Sequence, residues 1–234
     1  VVTGVQTCAL PISQEKTGIT LTGYYFGLYE YPINRNNCRY EAYYFMPKGN
    51  VRKKAGFSNC LFEVMYSEPC PMIKAYCCEA GRYIPVFSQV ENPNTEQLKK
   101  NNELLRMFMD HLSKQPEHKA AMLCQKDIAG KLYETIMSRP NRWEAKYYGM
   151  QLFSDDLSDE HMRCIANRLT QREIKDLRIL SKLCIMLGLS KKVIHESGWI
   201  EGTIVNAGKH ISSNLRSARM AKYVTHLRQS LKAK

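Results

Sequence analysis

The stretch Gln89–Gln97, QVENPNTEQ, divides the chain. Before it, Thr, Tyr and Phe recur without a 3.6-residue period; after it, apolar residues fall at helical spacing. Pro93 and its Asn neighbours form a loop signal. Asn94, with Gln97 three residues on, has the form of a capping box that opens a helix. The spacing therefore predicts an α+β chain, with a β-rich part over residues 14–92 and an all-α part over residues 93–234.

On the N-terminal side, Ile19–Tyr31 (ITLTGYYFGLYEY) and Cys38–Met46 (CRYEAYYFM) read as strands, being rich in residues that suit a pleated surface. YPINRNN between them is a turn cluster, and PKGN closes the second strand, with Gly49 and Asn50 suited to positive φ. Phe57–Ser67 (FSNCLFEVMYS) alternates, placing Cys60, Phe62, Val64 and Tyr66 on one face, and reads as a third strand. Ile73–Cys78 and Arg82–Phe87 are shorter candidates. Strands this close in sequence are expected to pair as a meander of hairpins.

On the C-terminal side a helix is expected over Thr95–Lys114. A second starts at Pro116, well placed as a first helical residue, and runs to Ser138. A third follows Pro140, over NRWEAKYYGMQLF. Ser158 suits the cap of a fourth, which would hold Cys164. Thr170 and Glu173 form a capping box for a fifth, with Ile174, Leu177, Leu180, Cys184 and Leu187 on one stripe and Gly188 as its C-cap. A long final helix is expected over Thr203–Leu231, with Ile204, Ile211, Leu215, Ala218, Leu227 and Leu231 as a rough apolar face.

The ends read differently. Val2–Ile12, VTGVQTCALPI, looks like the in-frame translation of a DNA-sequencing library adapter, so residues 1–13 are expected to be an artefact. A secretory leader is the competing reading, but residues 1–13 contain no Lys or Arg. With Cys8 set aside, the remaining cysteines are scattered, which favours a reducing cytoplasm over a disulfide framework. No apolar run approaches the length of a membrane span.

The net charge is +12, and residues 171–234 carry +9 of it, with 13 Lys and Arg against four Asp and Glu. No acid follows Glu201. A region this one-sided attracts polyanions. Leu183–Ile194, LCIMLGLSKKVI, is similar to the DNA-binding helix-turn-helix pattern: small Cys184, turn Gly188, apolar Leu189, cap Ser190, packing Ile194. An ordinary helix corner uses the same Gly and Ser, and Gly198 would shorten the recognition helix. The candidate groove-facing residues are Ser190, Lys191, Lys192 and His195. The candidate phosphate-holding residues are Lys209, Arg216, Arg219, Lys222 and Arg228.

Ten of the 14 Tyr lie between Tyr24 and Tyr83 among basic residues, a composition used to stack single strands and also one that simply builds strands. Cys60, Cys70, Cys77 and Cys78 lack the paired spacing of a zinc site. His161 and Cys164 stand among acids that suit a helix N-terminus better than a metal. No nucleophile elbow, P-loop, dinucleotide fingerprint or zinc-protease motif occurs, so neither catalytic residue nor cofactor is assigned. The leading expectation is a regulatory or accessory protein that binds nucleic acid, duplex DNA in particular, and forms a homodimer as helix-turn-helix proteins commonly do. The alternatives are a non-catalytic assembly protein whose β-rich part binds a protein, and a piece of a larger enzyme. The assembly reading requires an exposed apolar or edge-strand patch within residues 19–90.

Overall fold

The computed structural model describes residues 13–31, 38–71, 73–123, 125–153, 162–169 and 198–232. The chain is α+β, with small sheets towards the N-terminus and helices after them. The adapter-like stretch 2–12, the Ser158 cap, the Thr170–Gly188 helix and the helix-turn-helix-like residues 183–194 lie outside the described residues.

A helical turn over 13–17 leads into β1 (Thr22–Gly27), which pairs with β2 (Arg39–Phe45). The pair is parallel, not the hairpin expected from short separation. Parallel neighbours need a long return of chain, and eleven residues, 28–38, separate the two strands. The register shifts after Tyr25, and Gly27 then lies under the Phe45 ring; a Cβ there would stand 2.5 Å from Cζ of Phe45.

Gly49 and Asn50 take φ of 82° and 52°, as their sequence suggests, and turn the chain into α1 (Val51–Gly56). Phe57–Ser67 is the clearest departure from expectation. It forms helix α2 (Asn59–Tyr66), not a strand. The Ser58 hydroxyl accepts from the Leu61 amide as an N-cap and donates to the Gly198 carbonyl at 3.0 Å. Leu61, Phe62 and Met65 satisfy helical spacing as well as Cys60, Phe62 and Val64 satisfy alternation. The cap and the burial of Leu61, Phe62 and Val64 decide between them. β3 (Ile73–Glu79) and β4 (Arg82–Phe87) then form the antiparallel hairpin that was expected, with Ala80 and Gly81 at positive φ in the turn.

α3 (Thr95–Ser113) starts where predicted, but Asn94 makes no side-chain cap. Its amide instead holds Leu152 like a neighbouring strand: Nδ2 donates to the Leu152 carbonyl at 2.7 Å and Oδ1 accepts from the Leu152 amide at 2.9 Å. The expected helix from Pro116 to Ser138 divides into α4 (Glu117–Leu123) and α5 (Lys126–Ser138), because Gln125 is extended, with ψ of 132°. α6 (Arg142–Gly149) opens on a full capping box of Asn141 and Glu144. It stops at Gly149, and the expected helical continuation becomes the short strand β5 (Leu152–Phe153). Its partner is β6 (Arg163–Cys164), so Cys164 sits in a strand and not in the helix anticipated for it.

The expected final helix also divides. α7 (Ile200–Ala207) ends at Gly208, φ 72°, and α8 (Ile211–Lys232) begins after His210, φ 47°. Gly208 forms a left-handed C-cap whose N–H returns to Ile204 and Val205.

The core gathers Tyr44, Phe45, Phe57, Leu61, Phe62, Met137, Ile165 and Trp199 from β2, α1–α2, α5 and the entry to α7. Phe26 fills its centre, stacked on Phe62 at 4.4 Å and set edge-on to Tyr133 at 5.0 Å. Burying each such side chain contributes about 1.5–3 kcal/mol. Trp199 also donates from Nε1 to the Met137 carbonyl at 2.8 Å, so its one polar atom is paired inside the core.

Candidate nucleic-acid interface

Predicted phosphate-holding residues cluster on α8, and the helix assigns them to different faces. Spaced at about 3.6 residues per turn, Asn214, Ala218 and Lys222 lie on the face turned to the body, where Asn214 and Ala218 are buried. This face packs on α1 and α7.

Lys222 is drawn inward. Its Nζ donates to Glu201 Oε1 at 2.9 Å and to the Phe57 carbonyl at 3.2 Å. The Glu201 side chain is only 1% exposed, and its second oxygen, Oε2, has no hydrogen-bond partner. Position in the first turn of α7 favours an anion there. A buried carboxylate still depends on its counter-ion, because desolvating a charge costs several kcal/mol. Arg219, one turn before Lys222's neighbour on the flank, pairs with Glu134 of α5. The two cations thus bind α8 to α7, α1 and α5.

Beside this pair, Tyr29 stacks on His226 at 5.4 Å. Burial pushes the Tyr29 hydroxyl well up, with Cys60 and Glu201 adding to it. Burial pushes the His226 imidazole down; a hydrogen bond with Gln229 opposes this, and Lys222 and Lys54 reinforce it. Lys54 is itself buried, donating to the Pro47 carbonyl, and burial lowers its pKa too.

The remaining predicted residues lie further out. Lys209 is exposed in the Gly208–His210 turn, where its carbonyl accepts from Asn214 Nδ2 at 3.0 Å. Arg216 and Arg228 are both exposed, but they stand about 120° apart around the helix. Arg219 and Lys222 are therefore not brought into one outward surface with Arg216 and Arg228. Ser190, Lys191, Lys192 and His195 lie outside the described residues.

The tyrosine cluster is divided as well. Tyr44 is buried, its hydroxyl bonded to the Gly130 carbonyl, and Tyr25 stacks on Tyr40. Tyr76 and Tyr83 point outward from one face of the β3–β4 hairpin, where their cross-strand partners are Pro85 and Cys78. The same hairpin exposes Ile73, Ile84, Val86 and Phe87. Among the described residues no group of three or more His, Cys, Asp or Glu is placed to hold a metal, and no helix is long and apolar enough to cross a membrane.

The sequence signal that was missed is Glu201. It precedes an acid-free tail, and a lone acid before seven Lys and Arg marks a counter-ion as readily as a boundary. Compared with known proteins, the chain matches no family model, no curated relative and no solved structure.

Proposed function

We propose that the chain is a non-catalytic assembly protein whose β3–β4 hairpin binds a protein partner. The observation that carries this is the hairpin itself. Among the described residues it is two-stranded and paired with no other strand, and it exposes large apolar side chains on both faces, Tyr76 (64%) and Tyr83 (79%) on one, Ile84 and Val86 on the other. A two-stranded hairpin is marginally stable alone, and exposed tyrosines beside apolar residues are the material of interface hot spots. Pro85 lacks an N–H and suits an edge, which leaves β3 as the edge for strand addition. Free thiols at Cys38, Cys60, Cys70, Cys77, Cys78 and Cys164 suit the reducing cytoplasm.

Panning a displayed peptide library on the full chain, with counter-selection on Tyr83→Lys and Val86→Lys chains, tests the reading. Enrichment of peptides that bind only the unmodified surface is expected; enrichment equal on all three chains rejects it.

A second reading is nucleic-acid binding through the basic C-terminal region, with Lys209, Arg216 and Arg228 holding phosphates and Ser190, Lys191, Lys192 and His195 as groove-reading candidates. The absence of any acid after Glu201 favours it. Fluorescence anisotropy with duplex DNA over a range of salt tests it: log affinity should fall linearly with log salt, with a shallower slope after Arg216→Ala. A homodimer belongs to this reading, because operators with two half-sites are read by two copies.

A further inference from the structure

The outward face of α8 carries an apolar stripe. Met220, Tyr223, Leu227 and Leu231 recur at i, i+3, i+7 and i+11, and they are 59, 39, 39 and 62% exposed. Arg216 stands one turn before Met220 on the same side and is exposed. Leu227 follows Ala218 by nine residues, which is about two and a half turns. Ala218 is buried against the body, so Leu227 faces the opposite way. α8 therefore has two apolar stripes on opposite faces: one used, one left uncovered by the described residues.

The charges beside the uncovered stripe select what can lie on it. No acid occurs in α8, and Arg216 is exposed on the side of the stripe. A second copy would set one acid-free, basic helix against another, and like-charge juxtaposition disfavours that pairing. Phosphate alone gains nothing from four large apolar side chains in a row. A helix with an apolar stripe and acidic flanks matches both features, in the manner of helix-in-groove recognition with anchors at i, i+3 and i+7.

We infer that the outer face of α8 docks an acidic amphipathic helix of a protein partner, with Met220, Tyr223, Leu227 and Leu231 covering its apolar stripe and Arg216 meeting a carboxylate. This rests on the reading of the chain as a partner-binding protein, and it uses a surface other than the hairpin.

The test is fluorescence anisotropy of the full chain with a labelled peptide of about 20 residues, enough for a marginal helix, built from a Leu stripe and Glu flanks. The control probes are a scrambled peptide of the same composition, a Leu and Lys version, and duplex DNA. Saturable binding to the Leu and Glu peptide alone is expected, weakened about tenfold or more, roughly 1.4 kcal/mol, by Leu227→Ser and by Arg216→Glu. Both positions are exposed, and thermal unfolding of each variant checks that it is folded.

Equal binding of the scrambled peptide would reduce the effect to charge and overturn the inference. Binding that neither substitution changes would place it elsewhere and do the same. DNA binding lost on both substitutions would return the face to nucleic acid. Self-association lost on both, by sedimentation, would assign it to a second copy. Tyr83→Lys leaves α8 untouched, so a failure here is separable from a failure of the hairpin.

Discussion

Lys222 shows how one side chain can be assigned a role by its neighbours. It is the counter-ion of a carboxylate that is almost wholly enclosed, and removing it strands Glu201. Lys222→Ala is expected to destabilise the fold by about 3–5 kcal/mol, lowering Tm by roughly 6–20 °C in a thermal melt. Arg216→Ala, on the exposed face, should leave Tm within about 2 °C. Gly27 is constrained by shape. Gly27→Ala drives a methyl into the Phe45 ring and should cost about 1–3 kcal/mol; the same change in a Phe45→Leu background should cost less, and a double-mutant cycle in urea measures the coupling.

His226 carries a pH dependence. Its folded pKa lies below its unfolded value of about 6.5, so the unfolded chain binds the proton more readily. The stability it contributes is complete above that unfolded value and is lost as pH falls through the folded one. Urea midpoints should fall between about pH 7.5 and pH 5, and His226→Phe, which keeps a ring against Tyr29, should flatten that part of the profile.

At the scale of elements, ends matter more than middles. α2 is a helix because Ser58 satisfies its first turn and because one face meets the core. Ser58→Ala removes both the cap and the bond to Gly198. It should cost about 1–3 kcal/mol, with the largest loss of amide protection at Leu61 in hydrogen exchange. α6 begins and α7 ends at signals present in the sequence: the Asn141 and Glu144 box, and Gly208. The start of α3 was legible from QVENPNTEQ, although Asn94 spends its side chain on Leu152 instead of on the helix. The apolar face anticipated for the last helix mixed two faces, because Ala218 and Leu227 stand nine residues apart, about two and a half turns. Ile211, Leu215 and Ala218 turn inward while Leu227 and Leu231 turn outward.

Across the whole molecule, stability is distributed unevenly. α7 lies in the interior, with Ile204 and Thr203 fully buried, whereas the β3–β4 hairpin is exposed nearly throughout. Hydrogen exchange should show hairpin amides opening with little protection and α7 amides exchanging only on global unfolding. The same unevenness separates what holds the fold from what it leaves exposed: among the described residues the hairpin and the outer face of α8 are uncovered, and the cations Arg219 and Lys222 are engaged.

The sequence by itself determined the α+β class, the β3–β4 hairpin, the onset of α3 and the basic character of the C-terminal region. These follow from local period, turn residues and charge, which act over a few residues. Only the tertiary structure decided that Phe57–Ser67 is a helix, that β1 and β2 run parallel, and that Arg219 and Lys222 face carboxylates on α5 and α7. Each of these depends on which distant surface a segment meets. A short apolar run satisfies two periods, and a lysine looks the same in sequence whether its partner is a phosphate outside or Glu201 within.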